Sequence, residues 1–210
     1  MPRRLLTAFF FVFCLAAYAP PAGSADGATG ITLGGSADSP VKLEVFSDFE
    51  CPGCRGLFLN AIQPILKSYK DRVCVIYYEF PLENMHQYAR PASRYVSAAA
   101  RLGDQNKLLS LFEALFADQD KWAIDGSLEA SVSRALSPED FQKVKNLIAT
   151  DLAGIDRDVD RDIEVGMDRK INATPTVFLT HAGKQERVVF PANVNMHTLL
   201  SWRLNGLLGK

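Results

Sequence analysis

The sequence has 210 residues, of which 48% are apolar and 22% are charged, and its formal net charge is −1. This composition is typical of a folded globular protein and excludes a disordered or fibrous chain. A net charge so close to zero gives no indication of nucleic acid or an anionic surface as a partner. The indications of function therefore come from local motifs.

Residues 1–25 have the pattern of a secretory signal peptide. A basic segment with Arg3 and Arg4 precedes an uncharged apolar run from Leu5 to Ala19, which is shorter than the roughly 20 residues of a membrane-spanning helix. Small residues follow, and cleavage is expected after Ala25. The alternative is an uncleaved anchor. Cleavage predicts a soluble mature protein in the periplasm or otherwise outside the cytoplasm, where disulfides persist.

The pattern of residues 26–84 indicates a lead-in followed by a strand, a helix and a second strand. Gly, Ala, Ser and Pro dominate residues 26–39, which predicts a flexible lead-in. Within residues 40–84, strands are predicted at Val41–Ser47 and Val73–Phe80. The amphipathic helix between them begins near Cys51 and should be kinked by Pro64.

Residues 85–170 contain no predicted strand, and residues 171–210 return to a mixed pattern. The predicted helices span Ala92–Leu102, Gln105–Ala117, Leu128–Leu136, Pro138–Ala149 and Leu152–Lys170. The final part predicts a strand from Pro175, a turn at His181–Lys184, a strand over Arg187–Phe190 and a helix over Met196–Leu208. This order indicates an α/β fold with a mixed central sheet flanked by helices on both faces.

The strongest functional signal is Cys51-Pro52-Gly53-Cys54, at the junction of the first predicted strand and helix. A Cys at a helix N-cap lies beside free backbone N–H groups and the positive end of the helix dipole, which favour the thiolate. Pro52 suits the first helical position. The motif predicts Cys51 as a low-pKa nucleophile and Cys54 as a covered resolving thiol, joined by a reversible disulfide.

Other roles for the cysteines are less consistent with the sequence. Three cysteines follow the leader, and an odd number does not suit a disulfide-stapled scaffold. Zinc requires about four ligands, and the sequence has no second Cys/His cluster. A zinc half-site, a structural disulfide and a non-catalytic carrier of Cu(I) or zinc remain as alternatives. Cys74 is interpreted as a buried inert thiol. His86 follows the Pro81-Leu82 turn, and an approach to the active site is the alternative to its interpretation as an ordinary surface or core histidine.

Two segments resemble those of DsbA-like proteins of the thioredoxin superfamily. The stretch from Ser39 to Cys54 resembles their active-site segment, and Ala173-Thr174-Pro175-Thr176-Val177-Phe178 resembles their cis-proline strand. Glu79-Phe80-Pro81-Leu82 matches the end of their second strand. The resemblance, which extends over residues 38–208, implies a thioredoxin-like fold with an inserted all-helical domain.

The resemblance also implies the layout of the site and two departures from it. The Thr174-cis-Pro175 loop is expected to pack against Cys51 and to pair with an extended substrate peptide. Relatives often carry a carboxylate where Val45 stands, whereas Glu44 should face the other side of the sheet. Candidates for proton transfer are then water, Asp48 and Glu79. Strongly oxidising members have a His in place of Gly53, so a potential between roughly −120 and −270 mV is expected.

The sequence thus predicts a protein-disulfide oxidoreductase acting on exported proteins that carry cysteines, with no metal or organic cofactor. Net oxidation of dithiols is favoured. An isomerase or reductase remains open, because Thr precedes the proline as in several isomerases. A membrane quinone-linked oxidase or a thiol relay is the implied recycling partner, and a monomer is expected. The residues predicted to exchange or support disulfides are Cys51, Pro52, Gly53, Cys54, Thr174 and Pro175.

Overall fold

A mixed five-stranded sheet lies at the centre of residues 30–209, the part of the chain that this computed structural model describes. The strands are β1 (Ile31–Gly34), β2 (Val41–Ser47), β3 (Val73–Glu79), β4 (Thr176–His181) and β5 (Lys184–Val188), in the order β1-β3-β2-β4-β5. β2 and β3 run parallel, and the other neighbouring pairs are antiparallel. The predicted signal peptide lies outside the described residues. Across residues 30–209, no helix combines the length and the apolar character needed to cross a bilayer.

The connection from β2 to β3 is a helix in three parts. α1 (Pro52–Leu57) continues through a π-helical turn (Phe58–Ile62) into α2 (Gln63–Tyr69). Pro64 has no N–H to donate to the preceding turn. The π-helical turn directly before α2 accommodates the interruption, and the helix continues past Pro64. The predicted irregularity at Pro64 is thus present as a change of helical pitch.

Between β3 and β4 the chain forms a block of helices, as predicted. They are α3 (Ala89–Ala100), α4 (Gln105–Ala117), α5 (Gln119–Asp125), α6 (Leu128–Ala135), α7 (Pro138–Thr150) and α8 (Leu152–Asp168). The predicted start of α7 is confirmed: the Ser137 side chain accepts a hydrogen bond from the backbone N–H of Asp140. α5 is absent from the predicted elements. After β5, α9 (Met196–Leu207) closes the described part of the fold.

Apolar side chains pack on both faces of the sheet. On one face, Val45 and Tyr77 belong to the larger core, which continues into the helical block. Aromatic rings join this core to the helical block: the ring centroids of Phe49 and Phe116 lie 4.9 Å apart, and those of Phe58 and Phe116 lie 5.0 Å apart. The smaller core on the other face consists of Phe46, Tyr78, Phe80 and Ile171. The ring cluster therefore holds the helical block against the loop that follows β2.

Residues 26–39 are not a flexible lead-in throughout, which corrects the prediction. Ile31–Gly34 forms β1 and pairs with the outer edge of β3, with Ile31 opposite Tyr77. The N–H of Gly30 donates to Asp162 at 2.7 Å, which anchors the start of this strand. Both contacts join residues far apart in the chain. The short Gly-rich segment carries no local pattern that reveals them.

The hairpin between β4 and β5 is tighter than the sequence predicted. Only Ala182 and Gly183 form the turn, with φ angles of 48° and 74°. Positive φ at both positions gives a two-residue connection whose twist matches that of the strands. β5 begins at Lys184 rather than at Arg187. Its side chains are mostly exposed at the sheet edge, so no apolar alternation marks it in the sequence.

Candidate dithiol site

The end of β2 leads to Cys51 at the N-cap of α1, as predicted. Its backbone is extended, with φ −75° and ψ 122°, and Pro52 follows at the start of the helix. The carbonyl oxygen of Cys51 accepts the N–H of Arg55 at 3.1 Å, which begins the helical hydrogen bonding. Cys51 is half-buried, whereas Cys54 is 1% exposed. Both are free thiols, so one sulfur is accessible and the other is covered.

The surroundings of the two sulfurs favour a thiolate at Cys51 and a thiol at Cys54. The Cys54 thiol donates a hydrogen bond that lowers the pKa of Cys51, and the backbone N–H groups of Cys54 and Gly53 lower it further. Burial opposes these effects, and the pKa falls to about 5 from 9.0. Burial, followed by the hydrogen bond and the charge of Cys51, raises the pKa of Cys54 well above its ordinary value. The site therefore pairs an accessible sulfur whose surroundings favour the thiolate with a covered sulfur whose surroundings favour the thiol.

The loop before β4 covers Cys51. The Thr174–Pro175 peptide bond is cis, and the Thr174 carbonyl oxygen lies 3.5 Å from Cys51 Sγ. A Cβ at Gly53 would lie 3.2 Å from Pro175 Cδ, so the turn between the cysteines fits closely against this proline. The packing that the resemblance implied is present. Beside it opens a cavity of about 600 Å³ lined by Gly53, Pro175, Thr176, Arg187, Val188, Val189, Phe190 and Met196.

Asp48 holds together the dithiol loop, the segment from Asp48 to Cys54. Its N–H donates to Cys54 Sγ at 3.4 Å, and its carbonyl oxygen accepts the N–H of Cys51 at 3.2 Å. Its buried carboxylate accepts hydrogen bonds from the N–H groups of Glu50 (2.7 Å) and Leu82 (2.8 Å). Asp48 thus lies at the site, as a candidate for proton transfer should, but its carboxylate is occupied by other donors.

Glu79 is the second candidate, and its carboxyl group is less occupied. It ends β3 opposite Ser47 of β2 and is fully buried. Oε2 accepts the Ser97 hydroxyl at 2.5 Å, and Oε1 has no hydrogen-bond partner among residues 30–209. Burial, reinforced by the charge of Asp162, raises the pKa of Glu79 well above its ordinary value. Glu79 therefore carries a proton under conditions in which an exposed carboxyl group has lost it.

Glu44 lies away from the dithiol, as its position in the strand predicted. Its carboxylate pairs with Arg169 at 2.9 Å and with Gln185 at 2.7 Å. The neighbouring Val45 faces the larger core, which includes Cys54. Cys74 is buried, and burial raises its pKa. These placements leave Glu44 and Cys74 outside the site.

Two residues of the site were missed by sequence reasoning. His86 was interpreted as ordinary, but its Nδ1 lies 2.8 Å from Asp48 Oδ2. Gln119 was not singled out, yet its side-chain amide donates to the carbonyl oxygens of Phe49 (2.6 Å) and Cys51 (3.1 Å). The proximity of His86 to the Glu79–Leu82 motif was a weak signal for the first. No signal marked the second, because α5 itself was not predicted.

These features define a thioredoxin-type dithiol protein: a helix begins at the nucleophile, a second Cys follows within one turn, and a cis-proline loop covers both. A family model described as thioredoxin matches residues 28–188. The chain belongs to the thioredoxin family. The predicted thioredoxin-like fold with an inserted helical domain is thereby confirmed.

Individual proteins are similar to the chain at low identity. The Na(+)/H(+) antiporter NhaA 1 of Mycobacterium sp. (strain KMS) is 31% identical over 153 residues, which cover 73% of this chain and 24% of that protein. The chain thus spans about a quarter of the length of such relatives. Probable disulfide bond formation protein D of Bacillus cereus is 24% identical, covering 69% of this chain and 68% of that protein. The solved structure of oxidised BdbD from Bacillus subtilis superposes with a TM-score of 0.64 at 18% identity, covering 84% of this chain and 92% of that one, and the likeness is one of fold.

Proposed function

We propose that this chain is a protein-disulfide oxidoreductase that exchanges disulfides with exported proteins through Cys51 and Cys54. The observation that carries the proposal is the difference in accessibility and protonation between the two sulfurs. The accessible Cys51 is stabilised as a thiolate, and the covered Cys54 holds a proton beside it. The name of the Bacillus cereus relative, a probable disulfide bond formation protein, agrees with this chemistry.

In the oxidised chain, a substrate thiolate attacks the accessible Sγ of Cys51. The bond between Cys51 and Cys54 breaks, its electron pair leaves on Cys54, and burial favours protonation of that sulfur. The second substrate thiolate then attacks the substrate sulfur of the mixed disulfide and releases Cys51. The substrate is oxidised by two electrons. Of its two thiol protons, one stays on Cys54 and the other enters solvent, because Cys51 remains a thiolate.

The supporting residues position the reacting sulfur and its partner. Pro52 and Gly53 form the tight turn that keeps the two cysteines adjacent. Thr174 and Pro175 cover Cys51 and present a backbone edge with which an extended substrate segment pairs, as in strand addition. Asp48 and Glu79 remain the candidates for proton transfer: Asp48 contacts both cysteines through its backbone, and Glu79 keeps a free Oε1.

Net oxidation of substrate dithiols in the periplasm, or another site outside the cytoplasm, is the direction we propose. A thiolate stabilised well below its ordinary pKa makes the corresponding disulfide more oxidising. The chain would then act as a monomer and be reoxidised by a membrane quinone-linked partner, which accepts the two electrons. A redox titration against glutathione tests the direction. A potential below about −270 mV, the thioredoxin value, would instead favour a reductase.

A transfer assay tests the exchange itself. The purified oxidised chain is mixed with a reduced, unfolded protein that carries cysteines, and disulfide formation in that substrate is followed. Cys51→Ser should abolish transfer, and Cys54→Ser should accumulate a mixed disulfide. Cys74→Ser, the matched control at the remaining described thiol, should retain activity. Stoichiometric binding of Cu(I) or zinc without any transfer would contradict the proposal and favour a metal carrier.

A further inference from the structure

A buried negative charge lies directly behind the dithiol. The Asp48 side chain is fully buried, its oxygens accept hydrogen bonds from the N–H groups of Glu50 and Leu82, and Oδ2 lies 2.8 Å from Nδ1 of His86. Two backbone donors aimed at one carboxyl group suit the ionised form, which accepts hydrogen bonds and donates none. Asp48 also binds both cysteines through its backbone. Its charge is therefore a fixed part of the environment of the reacting sulfurs.

A negative charge on Asp48, whose backbone contacts both cysteines, would oppose the thiolate that the proposed reaction needs. Two negative groups held close together each disfavour the ionisation of the other. The nearby carboxylate of Glu50, which accepts the N–H of Tyr88 at 2.7 Å, adds to the repulsion. Arg55 of α1 is paired with Asp120 at 2.5 Å. A cation that contacts Asp48 is needed to balance the site, and His86 is in position to supply it.

The charges around His86 favour its protonated form. Burial lowers the pKa of His86, but the hydrogen bond and charge of Asp48 and the charges of Glu50 and Cys51 outweigh burial and raise it. Nearby Glu83 forms its own ion pair with Arg90 at 2.7 Å. Because Cys51 and His86 influence each other reciprocally, a proton on His86 favours the Cys51 thiolate.

We propose that His86, anchored by Asp48, is a positioning residue whose positive charge compensates the buried carboxylate and strengthens the Cys51–Cys54 disulfide as an oxidant. The contribution depends on protonation of His86, so it is present at mildly acidic pH and is lost as pH rises. This inference rests on the proposed disulfide exchange.

The test compares charge variants of the full chain at several pH values. His86→Gln removes the charge, His86→Lys keeps it at higher pH, and His197→Gln is the matched control in α9. The readouts are the Cys51 pKa, from the ultraviolet absorbance of the thiolate, and the equilibrium constant for oxidising glutathione. We expect His86→Gln to lower that constant about threefold to tenfold at about pH 6, corresponding to roughly half to one unit in the Cys51 pKa, with the difference vanishing near about pH 9. His86→Lys should retain most of the wild-type value, and His197→Gln all of it.

Two further measurements keep the inference separate from folding and from the proposed function. In the wild-type chain, the NMR titration of the His86 ring should shift to higher pH when the disulfide is reduced, since the thiolate then faces the ring. In a double-mutant cycle, Asp48→Asn combined with His86→Gln should lose less oxidising strength than His86→Gln alone. A His86 titration that is the same in both redox states overturns the inference, whether or not the variants fold. Absence of disulfide transfer by the wild-type chain overturns the proposed function instead.

Discussion

Gln119→Leu should weaken the attachment of the helical block to the dithiol loop. The Gln119 side chain is 3% exposed at the start of α5 and donates to two carbonyl oxygens, at 2.6 Å to Phe49 and at 3.1 Å to Cys51. Leu has a similar size and no donor. The substitution therefore removes two hydrogen bonds while it keeps most of the packing.

The cost follows from what each carbonyl retains. The Cys51 oxygen still accepts the N–H of Arg55, so its loss is that of an ordinary hydrogen bond, about 0.5–1.5 kcal/mol. The buried Phe49 oxygen loses its amide donor, at about 1–3 kcal/mol. The added apolar surface of Leu offsets part of this sum. We expect a net loss of about 2 kcal/mol in the free energy of unfolding, or roughly 4–8 °C in Tm for a domain of this size.

Urea denaturation of the reduced chain measures this loss, with Gln105→Leu as the matched control. The Gln105 amide makes one exposed hydrogen bond of 3.4 Å to the Thr32 carbonyl, so its substitution should change the free energy of unfolding by at most about 0.5 kcal/mol. Equal effects of the two substitutions would refute the reasoning. So would a fully stable Gln119→Leu variant, because Gln119 would then not hold the loop.

Two other predictions concern stability. Burial and then the charge of Asp162 raise the pKa of Glu79, so the folded chain holds a proton that the unfolded chain releases. Binding of this proton stabilises the fold fully below the ordinary pKa of 4.5, and the stabilisation is lost as pH rises towards the raised value. Glu79→Gln should therefore flatten the decline of the urea midpoint between about pH 5 and 8, and an unchanged slope would count against a buried acid. Gly166→Ala should destabilise by about 1–3 kcal/mol, because its Cβ would overlap the Phe80 ring, whereas Gly206→Ala meets no atom within 4 Å and should be neutral or slightly stabilising in thermal denaturation.

Several elements were predictable because their causes are local in the chain. The strand over Val41–Ser47 and helix α4 over Gln105–Ala117 occur where the sequence predicted them. Cys51 is at an N-cap because Pro52 suits the first helical turn and the strand ends just before it. Motifs beyond these local rules, such as Thr174-Pro175, were identified only through their resemblance to a known family.

Other features could not be predicted, because their physical cause lies in a distant part of the chain. β5 is an exposed edge strand, so its start at Lys184 depends on pairing with β4 rather than on an apolar pattern. The same holds for the site: Asp48 meets His86 across 38 positions, and Gln119 meets the Phe49 carbonyl across 70. A histidine or a glutamine has no pattern of its own that marks such a contact.

By itself, the sequence predicted which two sulfurs would react and why the first would favour the thiolate, since a helix start and a three-residue spacing are properties of neighbouring residues. Only the tertiary structure decided which charges and hydrogen bonds surround those sulfurs. The dithiol loop is held by Gln119 from the helical block and by Asp48, whose carboxylate contacts His86. Electrostatic interactions depend on distance in space, and folding alone brings these groups within reach of one another.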